Sequence, residues 1–197
     1  MAHVNDLIQA AQVCCWEALC MLVPELKSLE GQSQHASAGV DVAEHTRRLL
    51  VQCPVGDQLL LACLLHDIAK PRTAEPKPDG QPGFQFPGHG EEGAKMAKEI
   101  LERFEGHEYL LGQVCDLVRY HMEPHEGKIP TGFAWPEDLV DLAELDSASF
   151  GGRSIGKVRE RFNKTRVKFG LPERPMPPPQ HISVILEEYL RIRNLSA

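Results

Sequence analysis

The stretch Leu59–Pro71 reads LLLACLLHDIAKP, and it decides the fold that the rest of the chain must adopt. Seven successive apolar residues without the alternation of a strand predict a helix that is buried on all sides. We expect this helix to cover residues 58–70 and to lie at the centre of an all-α domain. His66 and Asp67 follow the apolar run directly, and burying this pair costs free energy unless the two side chains are paired or bind a cation.

Partners for this pair lie on or beside other predicted helices. His45 precedes His66 by 21 residues, and three further polar residues follow at intervals of 23, 32 and 25 residues, namely His89, His121 and Asp146. Imidazoles and carboxylates that arrive from separate helices are the ligands of hydrolytic metal centres. The spacing therefore predicts that these side chains, together with Asp67, hold one or two divalent metal ions.

Each candidate ligand also has a plainer interpretation. His45 lies on the apolar stripe of its helix and could be a core histidine bonded to a carbonyl group. Asp146 lies on an apolar helix, where a lone buried carboxylate would be costly unless it were paired or metal-bound. His89 and His121 could be surface residues at the ends of helices. His125 is a weaker candidate, because the intervening proline makes a helical face shared with His121 doubtful.

Two basic residues are candidates for binding a substrate phosphate. Lys70 lies four residues after His66 and three after Asp67, so a helix would bring all three to one face. Arg153 follows a glycine pair and could clamp a phosphate in the same site. The alternatives are a lysine that interacts with the helix dipole and a solvated arginine.

Composition describes an ordinary globular chain with an uneven distribution of charge. The 197 residues are 42% hydrophobic and 25% charged, which suits one domain with a small appendage. Residues 1–152 hold 11 Lys/Arg and 24 Asp/Glu, whereas residues 153–197 hold 10 and 4. The acidic body suits hard cations. The basic segment 153–168 could meet a phosphate or a nucleic-acid strand, or could be a solvated helix face.

The six cysteines follow no disulfide or metal-binding spacing, which favours buried, reduced thiols in a cytoplasmic protein. The apolar stretch 7–23 is interrupted by Glu17 and lacks a preceding basic region, so we expect no signal peptide and no membrane span.

Turn residues divide the rest of the chain into further helices. The pattern predicts a helix from Asn5-Asp6 to Val23, and Asp41 as the N-cap of the helix that carries His45. The Pro- and Gly-rich loop 71–88 could contain a short hairpin. Four later helices are predicted over residues 91–104, 108–121, 136–149 and 155–169. We expect a domain of residues 1–170 and an appendage of residues 171–197, in which a proline-rich linker leads to an amphipathic helix over 182–195.

These motifs together resemble the HD-domain superfamily of metal-dependent phosphohydrolases. The likeness is closest to the HD module of bacterial CCA-adding tRNA nucleotidyltransferases and covers roughly residues 35–155. The matching segments are Gly39–Thr46, Leu65–Pro71, Phe86–Ala94, Leu117–His121, and Asp146 with Gly152-Arg153. This chain departs from the module in having Gly90 where Glu is usual, an additional Val40, and a longer spacing from Asp146 to Arg153.

The resemblance implies an HD-type helical bundle and an enzyme. In such modules His45, His66, Asp67 and Asp146 would hold one metal, and Asp67 would bridge to a second metal held by His89 and His121. Oxygen and nitrogen ligands suit Mn, Fe, Co, Ni or Mg. Asp67, Lys70 and Arg153 would be catalytic, with Lys70 and Arg153 binding the substrate.

The implied substrates are phosphomonoesters and (cyclic) phosphodiesters of nucleotides or RNA ends. The alternatives are a nucleotide-binding regulatory module without turnover and a di-iron oxygenase of the same fold. The C-terminal helix could pack on the body or pair with a partner, as in a homodimer. No stretch resembles a nucleotidyltransferase head domain, so the likeness does not imply nucleotide addition.

Overall fold

A computed structural model describes residues 2–34, 40–54, 56–150 and 154–176 of the chain. These residues form a helical bundle with one two-stranded antiparallel sheet, which confirms the predicted all-α class. The helices are α1 (Val4–Gln12), α2 (Trp16–Leu22), α3 (Val42–Gln52), α4 (Asp57–Leu65), α5 (Lys70–Thr73), α6 (His89–Leu101), α7 (Glu108–Tyr120), α8 (Pro136–Ser149) and α9 (Ile155–Lys168). The strands are β1 (Glu75–Pro76) and β2 (Phe84–Gln85), and three 3-10 turns cover Pro24–Leu29, Pro78–Gly80 and Glu123–Glu126.

Helix α4 is the centre of the bundle, as the apolar run predicts. All residues from Leu59 to Leu65 are buried, and α4 packs against α7, α3, α1 and α8. These neighbours bring polar side chains from three directions to the C-terminal end of α4. None of the described helices is long and apolar enough to cross a bilayer.

The predicted extension of α4 to Lys70 is wrong, because the α-helix ends at Leu65. The amide of Ile68 donates to the carbonyl of Leu65 at 3.1 Å, and the amide of Lys70 donates to the carbonyl of Asp67 at 3.0 Å. These bonds span three residues, so the chain tightens into a turn. Pro71, which has no N–H to continue the ladder, lies in the first turn of α5 instead of ending α4.

The first predicted helix is interrupted. Helix α1 ends at Gln12, and Cys14 adopts a left-handed backbone with a φ of 50°, which separates α1 from α2. The cap of α1 is His3 rather than Asn5, because the His3 ring accepts the Asn5 amide and Asp6 accepts the His3 amide. The hairpin and the Asp41 cap of α3 are confirmed: β1 pairs with β2, and Asp41 accepts the Glu44 amide at 2.7 Å.

Helices α6 and α7 approach each other closely along two glycines of α6. A Cβ atom on Gly90 would lie 2.6 Å from the carbonyl oxygen of Arg119, and one on Gly93 would lie 3.1 Å from Val118 Cγ1. Real Cβ atoms do not come within 3.0 Å of a neighbour. The close approach therefore gives a physical reason for Gly90 where the resembled module has Glu.

Of the C-terminal residues 151–197, the structure describes residues 154–176. Helix α9 confirms the predicted helix over 155–169. The predicted helix over 182–195 and residues 151–153 lie outside the described residues. The division of the chain at residue 170 remains a prediction.

Candidate metal centre

Three elements of the bundle converge on His66 and Asp67 at the end of α4. His45 comes from α3, Asp146 from α8, and His121 from the residue after α7; all are buried. His45 Nε2 lies 2.9 Å from Asp146 Oδ1 and 3.8 Å from Asp67 Oδ2. His66 Nε2 lies 3.1 Å from Asp67 Oδ2. Side chains separated by up to 101 positions in the sequence thus form one compact cluster.

A second set of contacts surrounds the other oxygen of Asp67. His89, the first residue of α6, places its Nε2 3.6 Å from Asp67 Oδ1, and His121 Nε2 lies 3.8 Å from the same atom. The two Nε2 atoms are 3.1 Å apart. Asp67 therefore presents one oxygen to each half of the cluster.

Three of the histidines have the tautomer that a metal ligand needs. The Nδ1 atoms of His66, His89 and His121 lie 2.7–2.9 Å from carbonyl oxygens three residues earlier in the chain. A carbonyl only accepts, so each Nδ1 carries a proton, and in the neutral form of the ring the Nε2 lone pair is free. Backbone partners of this kind fix the orientation of metal-binding imidazoles.

Several buried atoms of the cluster lack a hydrogen-bond partner within the described part of the chain. They are His45 Nδ1, His45 Nε2, His66 Nε2 and Asp67 Oδ1. Buried polar atoms are seldom left unsatisfied, so these atoms indicate a missing binding partner. Two groups, each with one ligand atom per residue and all atoms within 4.8 Å of one another, could hold a metal ion: His45, His66 and Asp67, and Asp67, His89 and His121. The donor set therefore fits one or two divalent cations.

Lys70 lies beside this cluster with its ammonium group in defined contacts. Its Nζ donates to Asp67 Oδ2 at 2.6 Å and to Gln34 Oε1 at 3.2 Å, and it lies 5.3 Å from the centre of the Phe86 ring. An ammonium group has three donors, so one remains for a further acceptor. Gln34 is buried, and sequence reasoning missed it because no pattern connects a loop glutamine to a helix 36 residues away.

His125 is the second residue that the sequence underestimated. Its Nε2 lies 2.8 Å from Asp146 Oδ2, on the side of the carboxylate away from His45. The 3-10 turn Glu123–Glu126 brings it there, and Pro124 lies at the start of that turn as its second residue.

The cluster perturbs the acidity of both carboxylates in the same direction. Burial alone would raise the pKa of Asp67, but the charges of His66 and Lys70 outweigh it and hold the pKa well below its ordinary value. Burial likewise opposes ionisation of Asp146, and the contacts with His125 and His45 keep its pKa well below the ordinary range. Both groups are therefore carboxylates at neutral pH.

Most of the imidazoles are shifted towards their neutral form. Burial, followed by repulsion from His66 and His89, lowers the pKa of His121 to about 3. Burial also lowers the pKa of His45 and of His89. For His66 burial acts in the same sense, but the carboxylate of Asp67 outweighs it and raises the pKa.

We expect the metal-free chain to lose stability as the pH falls from about 6.5 towards 4. Between the ordinary pKa of 6.5 and the folded value of about 3, His121 binds a proton when unfolded but not when folded. The free energy of unfolding then falls by about 1.4 kcal/mol per pH unit for each such proton. Urea denaturation in a chelating buffer measures this slope, and His121→Asn should reduce it. A midpoint that does not move between pH 7 and 5 would contradict the assignment.

The basic residues predicted to bind phosphate or nucleic acid, other than Lys70, lie outside the metal cluster or outside the described residues. Arg153 lies outside the described residues, so its role remains a prediction. The basic residues of α9 are partly engaged within the chain: Arg159 pairs with Glu144, Arg166 pairs with Asp141, and Lys168 donates to the carbonyl of Gly127 at 2.7 Å. Much of this helix face is therefore used to attach α9 to its neighbours.

Comparison with known proteins identifies relatives of the chain. The A-adding tRNA nucleotidyltransferase of Deinococcus radiodurans is 32% identical over 186 residues, covering 85% of this chain and 42% of that protein. The CC-adding tRNA nucleotidyltransferase of Thermus thermophilus is 30% identical over 185 residues, with the same two coverages. The multifunctional CCA protein of Pseudomonas fluorescens is 31% identical over 114 residues, covering 55% of this chain and 27% of that protein. The chain thus spans less than half the length of these relatives.

No solved structure matches the chain significantly. The profile of the HD domain matches residues 32–186, which is more than half of the chain. The matched region includes the His66-Asp67 pair and every other residue of the cluster described above. The chain therefore belongs to the HD domain family.

Proposed function

We propose that this chain is a metal-dependent phosphohydrolase that cleaves phosphomonoesters or cyclic phosphodiesters of nucleotides or RNA ends. Membership of the HD domain family supports a metal-dependent, hydrolase-like activity. One observation carries the finer proposal: the Asp67 carboxylate is shared by two potential ligand groups, and a lysine with a spare donor lies beside it. Two cations and an ammonium group in one site are complementary to a phosphoryl group.

The ligand roles follow the two groups of the cluster. His45, His66 and Asp67 would hold one ion together with Asp146, whose Oδ1 lies 2.9 Å from His45 Nε2, and Asp67, His89 and His121 would hold the other. Bound divalent ions would supply Lewis-acid stabilisation of phosphoryl charge and a lowered pKa of water. Mixed oxygen and nitrogen donors suit Mn, Fe, Co, Ni or Mg.

The protein's own contribution is to orient the phosphate. The Lys70 ammonium is fixed by Asp67 and Gln34, and its remaining donor can bind a phosphoryl oxygen without reorganising the side chain. The buried setting of Lys70 strengthens that contact because water competes less for it.

Replacing Lys70 with methionine should lower kcat/KM for a phosphoester by about 10- to 100-fold, because a charge-assisted hydrogen bond contributes about 1.5–3 kcal/mol. Methionine keeps the length and apolar stem of the side chain and removes only the charge and its donors. Steady-state kinetics would measure the change, and Lys95→Met on the exposed face of α6 is the matched control. Equal effects from the two substitutions would remove Lys70 from the substrate site.

The relatives suggest which phosphoesters to test first. Their names place their activity on tRNA, so we include RNA ends with a phosphate or a 2′,3′-cyclic phosphate among the proposed substrates.

The six cysteines are all free, which is compatible with the predicted cytoplasmic location. That location and a homodimeric state remain predictions.

A substrate panel tests the proposal directly. Metal-free protein would be loaded with each of the five metals and assayed on p-nitrophenyl phosphate, 2′,3′-cyclic nucleotides, nucleoside triphosphates and RNA ends, with bound metal measured by mass spectrometry. Phosphate release that depends on bound metal would support the proposal. Nucleotide binding without product would favour the regulatory alternative, and a coloured di-iron species that consumes oxygen would favour the oxygenase.

A further inference from the structure

The two oxygens of Asp146 face different surroundings. Its Oδ1 points into the cluster, 2.9 Å from His45 Nε2 and 3.9 Å from His66 Nε2. Its Oδ2 lies 2.8 Å from His125 Nε2, with the ring N–H bent away from the line between the two atoms. One oxygen is thus available to a cation while the other is in contact with an imidazole.

His125 is oriented differently from His66, His89 and His121, the histidines of the cluster whose Nδ1 donates to a backbone carbonyl. Its Nδ1 lies 3.3 Å from the hydroxyl of Ser147, which can donate or accept. If Ser147 donates to Nδ1, a neutral ring carries its proton on Nε2, on the side of Asp146. A proton on Nε2 makes His125 a donor at this 2.8 Å distance, in which case the ring is a partner of Asp146 and not a metal ligand.

The fold keeps the His125 ring in this position from several sides. The edge of the buried Phe162 ring packs against it at a centroid distance of 5.7 Å. The backbone of the same turn is held by α9, because Arg161 donates to the carbonyl of His125 and Lys168 donates to that of Gly127. A side chain fixed by its neighbours can fix the group that it contacts in turn.

We propose that His125 is a positioning residue that holds Asp146 Oδ2, so that Oδ1 points at the cation bound by His45 and His66. The inference rests on the proposed metal centre, because it assigns a role to one of that centre's ligands. It also assigns a structural role to α9, because this basic helix supports the turn that carries His125. Loss of an outer partner of this kind weakens metal binding by about 10- to 100-fold.

Titration of the metal-free protein with Co²⁺ alone tests this role without an activity assay. Visible absorption bands would report the ligand environment, and competition with a chelator would give the affinity of each ion. His125→Leu removes the donor, whereas His125→Gln places an amide N–H near the position of the histidine Nε2. His107→Leu, which removes a half-buried histidine bonded to Phe104, is the matched control. Circular dichroism would follow folding in each variant.

We expect His125→Leu to weaken one of two Co²⁺ binding events by about 10- to 100-fold and to change the absorption bands, with His125→Gln regaining most of the affinity. Equal binding by wild type and both variants would overturn the positioning role. Equal loss in the leucine and glutamine variants would also overturn it, because a donor at Nε2 would then make no difference. Wild-type protein that binds no Co²⁺ would instead refute the metal centre itself, and with it the proposed function.

Discussion

Asp67→Asn is expected to abolish phosphoester hydrolysis, with a loss of about three orders of magnitude or more. Asp67 is the only residue that belongs to both potential ligand groups among the described residues. An amide has no negative charge and offers one oxygen, so it cannot serve both halves of the cluster as the carboxylate can. The same substitution removes the 2.6 Å ion pair that holds Lys70.

The matched control lies at the start of α4, the helix that precedes Asp67. Asp57→Asn changes the first residue of α4, ten positions before Asp67, where an acidic side chain interacts favourably with the helix dipole. We expect it to retain activity and both metal ions. Turnover of p-nitrophenyl phosphate and metal content by mass spectrometry would be measured for both variants. Wild-type turnover in Asp67→Asn would end the proposed mechanism.

The cluster could be anticipated from sequence because its ligands are costly to bury for any other purpose. His66 and Asp67 continue a run that is apolar on every side, and Asp146 lies on a helix with a buried apolar face. For such residues the hydrophobic pattern fixes the orientation and the chemistry then requires a partner. The structure brings these three side chains together with His45, and their binding of a metal remains a prediction.

The residues that sequence reasoning underestimated depend on turns rather than on periodicity. His125 reaches Asp146 through a 3-10 turn that contains a proline, and Gln34 reaches Lys70 from a loop. The predicted end of α4 is too late because a new helix, with Pro71 in its first turn, begins at Lys70 after a turn of four residues. Spacing rules for one helix give no information about such junctions, where a few backbone angles decide which way a side chain points.

Gly90→Ala should lower the stability of the protein and should also disturb the half of the metal centre that contains His89 and His121. The new Cβ atom would lie 2.6 Å from the Arg119 carbonyl oxygen, which belongs to helix backbone and cannot rotate away. The two helices must move apart, at a cost of about 1–3 kcal/mol for overpacking. For a chain of this length that cost lowers Tm by roughly 2–12 °C.

The effect on metal binding follows from where Gly90 lies. His89 is its neighbour in α6, and His121 lies two residues beyond Arg119 at the end of α7. Separation of the helices would therefore lengthen the 3.1 Å distance between the two Nε2 atoms. Gly90→Glu, which introduces the residue that is usual in the resembled module, should be at least as damaging, because its Cβ meets the same oxygen.

Gly112→Ala separates this contact from the general effect of removing a helical glycine. Gly112 lies on the exposed side of α7, and a Cβ atom there would have no neighbour within 4 Å. Alanine should stabilise that position by about 0.5–1 kcal/mol, because it restricts the unfolded chain more than glycine does. Thermal unfolding and Co²⁺ titration of both variants would distinguish the two sites. Similar Tm values for Gly90→Ala and Gly112→Ala would show that a Cβ atom at position 90 fits between α6 and α7. The close approach of the helices would then not be what keeps His89 next to His121.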